Sequence, residues 1–124
     1  MNFKPTDHEA LNDEMIASLR ALGEGDPDPN AFLKDLIATY MRTTPEIFSG
    51  LLASLDSGDL KQIIFFSHKL KGQSNNVGLS RLSALCEEIE SSEGKLGPAD
   101  EVKKYRAAVE TQYAEACKIL RELK

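Results

Sequence analysis

The sequence predicts an all-α fold: an antiparallel up-down four-helix bundle with one or two additional helices at its amino end. Three observations carry this. Apolar residues recur at steps of three and four along nearly the whole chain, with no period-2 run and no repeat of roughly 20–50 residues. The interruptions are short and rich in glycine, proline, serine and aspartate. And 124 residues, 41% hydrophobic and 28% charged, suit one domain that buries about two-thirds of its unfolded surface without disulfides or a metal.

The elements follow in order. Leu11, Met15, Leu19 and Leu22 line a first helix over about residues 7–22, with Thr6 or Asp7 as its cap and Gly23 as its stop. Gly23-Glu24-Gly25-Asp26-Pro27-Asp28-Pro29 is a loop by composition. The bundle runs from about residue 28 to 123. Asp28 or Asn30 caps its first helix, whose core face is Phe32, Leu33, Leu36, Ile37, Tyr40 and Met41. Thr43-Thr44-Pro45 is expected to end that helix and begin another, with the proline at the first helical position. Ile47, Phe48, Leu51, Leu52 and Leu55 line this next helix, and Ser57-Gly58-Asp59 is a stop followed by a cap. A further helix runs from about Leu60 to Val77. The one after it starts near Leu79 or Ser80, with Leu82, Leu85, Cys86 and Ile89 inward. Beyond the loop at Ser91–Pro98, Val102, Tyr105, Val109, Tyr113, Ala116, Leu120 and Leu123 define the last and longest helix. Short connections between such helices favour antiparallel neighbours.

Composition excludes several functions. The net charge is −5, from 20 acidic and 15 basic residues, and no segment is strongly basic, so nucleic acid is not an expected partner. No apolar run spans a membrane, and the first residues lack a basic-then-apolar signal pattern, which points to a cytoplasmic chain. Cys86 and Cys117 are too few for a disulfide framework or a thiolate zinc site and read as buried thiols. His8 has no partner at metal-ligand spacing. Tyr105 and Tyr113 lie on a core stripe, and Glu87, Glu88, Glu90 and Glu93 read as a solvated acidic face, with Glu90 able to pair with a lysine on a neighbour.

Chemistry concentrates between Leu60 and Val77. On a wheel with His68 at zero, Ile63, Phe66, Leu70 and Val77 fall at roughly 160–220°, so they form the core face and His68 points to solvent. Ser67 and Ser74 lie at the border of that face. Lys61, Gly72 and Asn75 share the angular sector of His68. Ile64 and Phe65, one turn earlier, are apolar where solvation would favour charge, which suggests a protein docking surface. Gly72 costs a helix about 0.5–1 kcal/mol against alanine. It faces outward, so close helix packing or a kink is a weaker explanation than access of another protein to the imidazole. Lys71 lies on the same side and can stabilise negative charge placed on the ring. A neutral imidazole, with an unperturbed pKa of about 6.5, is a competent nucleophile near neutral pH. Exposed histidine, adjacent lysine, missing side chain and greasy rim together describe a phosphoryl acceptor for a protein donor.

The run Ser67-His68-Lys69-Leu70-Lys71-Gly72-Gln73-Ser74-Asn75-Asn76-Val77-Gly78 resembles the motif of histidine-containing phosphotransfer (HPt) domains, A-H-x-L-K-G-S-S-x-x-x-G. Leu82, Leu85, Cys86, Ile89 and Glu90 continue the resemblance, which covers roughly residues 15–120. Two positions depart from it: Ser67 replaces alanine and Gln73 replaces the first serine. The resemblance implies that His68 takes a phosphoryl group from the aspartyl phosphate of one receiver domain and passes it to another. It implies that Lys71 stabilises the phosphoryl group, that Gly72 gives the receiver access, and that Ser74 orients the imidazole or joins Lys61, Ile64, Phe65 and Asn75 at the contact surface. The partners would be receiver domains of response regulators or hybrid histidine kinases. The chain would be a monomeric carrier rather than an enzyme, with no cofactor and no metal site of its own, magnesium being held by the receiver. Two other readings remain open at this point: a non-phosphorylated adaptor bundle, and the phosphoacceptor domain of a larger histidine kinase.

Overall fold

The computed structural model describes residues 1–123. A 3-10 turn at Pro5–Asp7 precedes five helices: α1 (Asp13–Ala21), α2 (Ala31–Ser57), α3 (Leu60–Asn76), α4 (Ser80–Ser91) and α5 (Ala99–Glu122). No strand occurs among the described residues. Gly58 ends α2 in the left-handed region at φ 71°, and the Asp59 carboxylate immediately caps α3 by accepting the Gln62 N–H. The helix pairs α2–α3, α3–α4, α4–α5 and α2–α5 all pack, which closes a ring of four, and α1 lies against α2. One buried cluster draws on all five helices, including Ile16, Ile37, Leu51, Leu70, Leu85, Cys86, Val109 and Leu120.

The proline at 45 does not divide the chain. It sits inside a continuous 27-residue helix, so one long element stands where two were expected. Proline in a helix interior costs about 3 kcal/mol, through a lost hydrogen bond and a clash. Packing outweighs that here. The stripe Leu33, Ile37, Tyr40, Thr44, Ile47, Leu51 and Leu55 stays buried on both sides of Pro45, while the proline ring is exposed. The two threonines that look like a stop signal turn inward to the backbone instead: Thr43 Oγ1 donates to the Thr39 carbonyl and Thr44 Oγ1 to the Tyr40 carbonyl.

The amino end also differs from expectation. Helix α1 starts at Asp13, not near residue 7, because Asn12 and neither Thr6 nor Asp7 is the cap. The Asn12 side chain accepts from Met15 N–H, and its own N–H donates to the Gly78 carbonyl at 2.7 Å, so the start of α1 is tied to the α3–α4 turn. Residues before it form an arm along α4 and α5. Phe3 is buried, the Asn2 N–H donates to Glu88, and the Arg81 guanidinium donates to the Pro5 and His8 carbonyls. Leu22 is exposed rather than inward, because α1 has already ended. Phe32, expected in the core, is 43% exposed, since Leu33 and Ile37 take the inward angle of the first turn of α2.

On α3 the core is wider than the wheel suggests. Ser67 and Ser74 are fully buried, not bordering. Ser67 Oγ donates to the Ile63 carbonyl at 2.6 Å, and Ser74 Oγ pairs with the Tyr40 hydroxyl at 3.0 Å. Deeper in the layer, Thr44 Oγ1 lies 2.8 Å from the Tyr113 hydroxyl. Phe66 packs on Gly50 of α2, where any Cβ would collide with its ring. Cys86 and Cys117 are free and buried, and burial pushes the Cys86 thiol up to about 12, so it stays protonated.

Candidate functional site

The outer face of α3 meets α4 in a seam of charge. Leu70 and Ser67 point inward, which fixes the rotation of α3 and turns His68 outward; its side chain is 67% exposed. On α4, Leu85, Cys86 and Ile89 fill the core, so Glu87 and Glu90 emerge opposite His68 and Lys71. Both pairs are three residues apart, so each lies on one side of its helix.

The contacts are specific. His68 Nδ1 lies 3.0 Å from both oxygens of Glu90. Lys71 Nζ is 3.0 Å from Glu90 Oε2 and 2.7 Å from Glu87 Oε2. A single oxygen, Glu90 Oε2, therefore touches both the imidazole and the ammonium. Glu87 is further held by the Ser91 hydroxyl at 2.9 Å. Burial acts to raise the Glu90 carboxyl, but hydrogen bonds from Lys71 and His68 outweigh it and hold the group below the ordinary carboxylate range. Lys71, followed by Ser91, lowers Glu87 in the same way. Glu87 and then Glu90 raise Lys71. Both carboxylates are thus ionised near neutral pH and can only accept hydrogen bonds. That assigns the ring hydrogen of a neutral His68 to Nδ1 and leaves the Nε2 lone pair free on the other side of the ring.

The structure brings His68, Lys71 and Gly72 together on one exposed surface. A Cβ on Gly72 would meet nothing within 4 Å, so no packing contact requires the glycine. Lys71 turns its ammonium to the two glutamates of α4. Phe65 is 50% exposed, with Lys69 Nζ 4.9 Å above its ring. Ile64 is half-buried, and Lys61 and Asn75 are exposed on the same helix. Ser74 is the exception. Its side chain is sealed in the core against Tyr40, away from the exposed surface. The side chain in contact with the imidazole is that of Glu90, whose lysine pairing was foreseeable but whose grip on the histidine was not. Glu87 was missed, being hidden in an acidic run. The available signal was its three-residue offset from Glu90, which matches that of His68 and Lys71. Among the described residues, no group of three or more His, Cys, Asp or Glu side chains is arranged to hold a metal ion, and no helix is long and apolar enough to cross a membrane.

Comparison with known proteins places these residues in context. The family model described as the Hpt domain matches residues 35–119. Multistep phosphorelay regulator 1 of Schizosaccharomyces pombe is 32% identical over 79 residues, covering 64% of this chain and 26% of that protein. The chain thus spans about a quarter of the length of that relative. The crystal structure of histidine-containing phosphotransfer protein B from Pseudomonas aeruginosa PAO1 superimposes with a TM-score of 0.75 at 25% identity, covering 91% of this chain and 92% of that one.

Proposed function

The chain belongs to the Hpt domain family, and on that premise we propose that His68 carries a phosphoryl group between receiver domains in a phosphorelay. The observation that carries this reading is the pairing of His68 Nδ1 with the ionised Glu90 carboxylate, which leaves Nε2 exposed and nucleophilic. The Nε2 lone pair attacks the phosphorus of an aspartyl phosphate on the donor receiver. A P–N bond forms, the P–O bond to the aspartate breaks, and the aspartate leaves as a carboxylate. The Nδ1 proton stays on the ring, and the positive charge that develops there faces Glu90. Reversal with a second receiver returns a neutral imidazole.

The other residues have supporting roles. Lys71, on the same surface, offers its ammonium to the phosphoryl oxygens. Gly72 leaves the space one turn beyond His68 open to the receiver. Ile64, Phe65, Lys61 and Asn75 form the rim on which the receiver docks. The receiver supplies the magnesium and the acidic pocket, so this chain acts as a phosphoryl carrier and not as a complete enzyme. Residues 1–124 act as one unit, as a cytoplasmic monomer, with receivers of response regulators or hybrid histidine kinases as partners.

The test is a transfer assay. Receiver domains charged with labelled phosphate are mixed with the chain or with its His68→Gln variant. Rapid, acid-labile labelling that disappears in a folded His68→Gln chain is expected. Acid-labile labelling that persists in the variant would sink the assignment. Receiver binding without labelling would favour an adaptor instead.

A further inference from the structure

Lys71 is one cation shared by two carboxylates, and only one of them touches the histidine. Glu90 binds both His68 and Lys71, whereas Glu87 binds Lys71 alone and is itself steadied by Ser91. Glu87 therefore has no part in holding the ring. Its direct contact draws the ammonium along α4.

We infer that Glu87 is a positioning residue that competes with the phosphoryl group for Lys71, and so sets how strongly His68 retains its phosphoryl group. The inference rests on the carrier reading above. With the ring in the neutral form that can attack phosphorus, the seam holds two negative charges and one positive charge. Transfer adds a phosphoryl dianion, offset in part by the ring's own positive charge. Three anionic groups then face one ammonium. Lys71 can meet the newcomer only by weakening its bond to Glu87 or Glu90, and Glu90 is committed to the Nδ1 hydrogen. Glu87, exposed at the edge of the seam, is the partner that yields. Beside Lys71 an open groove of about 370 Å³, lined by Asn75, Ser80, Ser83, Ala84 and Glu87, gives the lysine stem room to move without disturbing the core. The pull from Glu87 opposes retention of the phosphoryl group, which suits a carrier that must give up what it accepts.

The experiment measures the equilibrium ratio of phosphorylated chain to phosphorylated receiver, starting from His68 charged with phosphoramidate. Glu87→Gln should raise the ratio roughly two- to fivefold, the scale of an exposed ion pair. Glu87→Asp should stay near wild type, and Glu110→Gln, which touches only Arg106 on α5, should change nothing. In a Lys71→Ala background the Glu87→Gln effect should largely vanish. It should also shrink in about 1 M salt, where charges are screened within ~3 Å; a merely structural role would show neither behaviour. An unchanged ratio in Glu87→Gln, or a full effect without Lys71, overturns the inference and leaves the carrier reading intact. Failure of the wild-type chain to become charged at all would overturn both.

Discussion

The two sides of α3 hold polar groups by opposite means. Inward, Ser74 meets Tyr40, and Thr44 meets Tyr113, in a layer of neutral hydroxyls sealed from water. Outward, His68, Lys71, Glu87 and Glu90 form a layer of charge open to solvent. The inner groups have one arrangement, because each buried hydroxyl that loses its partner is left unsatisfied. The outer groups can exchange partners, since water covers whatever is released. Chemistry that adds and removes charge belongs on the second side. The first side fixes the helix register that keeps it there.

The comparison is broken most forcefully from within. Tyr40→Phe should cost about 1–3 kcal/mol, by stranding Ser74 Oγ in the core. The labelling rate of His68 below the melting transition should be unchanged. Denaturant unfolding and transfer kinetics on one sample would check both, and a slowed transfer with intact stability would blur the division between the two sides. A substitution on the outer side should behave in the opposite sense. Gly72→Gln has open space for its side chain and an ordinary helical backbone, so it should stabilise the fold by about 0.5–1 kcal/mol through helix propensity. It should nonetheless block transfer from a receiver. A destabilised Gly72→Gln chain, or one with normal transfer, would remove the account of that glycine.

The smallest effect lies in titration. The folded pKa of Glu90 is depressed, so its contribution to stability is present above the unfolded value of about 4.5 and fades as pH falls through the lower folded value. Lys71→Ala should move the Glu90 midpoint upward, toward its ordinary position, and move the acid edge of stability with it. Carboxyl chemical shifts followed against pH would register this. A midpoint that stays in place would mean that His68, not Lys71, holds the carboxylate.

The outward position of His68 and Gly72 was legible because α3 has a regular apolar stripe, and one wheel fixes the face opposite it. The Gly58-Asp59 stop and cap was legible for a local reason: both signals act within one turn. Pro45 misled because its penalty is local, while the buried stripe that overrides it, Leu33 to Leu55, spans about six turns of α2. Asn12 was missed as a cap because its role depends on the Gly78 carbonyl, 66 residues away in the chain. Ser74 was misplaced by its position at the edge of the stripe, where only the arrival of Tyr40 from α2 decides between core and rim. The glutamate pair was illegible because it requires knowing how α4 is rotated against α3.

That rotation has a second support on the far side of α4. Glu88 accepts the Asn2 N–H and the Tyr105 hydroxyl, and Arg81 joins the arm carbonyls to Glu115 of α5. These contacts grip α4 from behind and reinforce the phase that Leu82, Leu85, Cys86 and Ile89 set from the core. A slip of one residue would swing the helix by about 100°, removing Glu87 and Glu90 from the seam. The amino-terminal arm thus acts as a brace behind α4, steadying from the opposite side the carboxylates that the histidine sees.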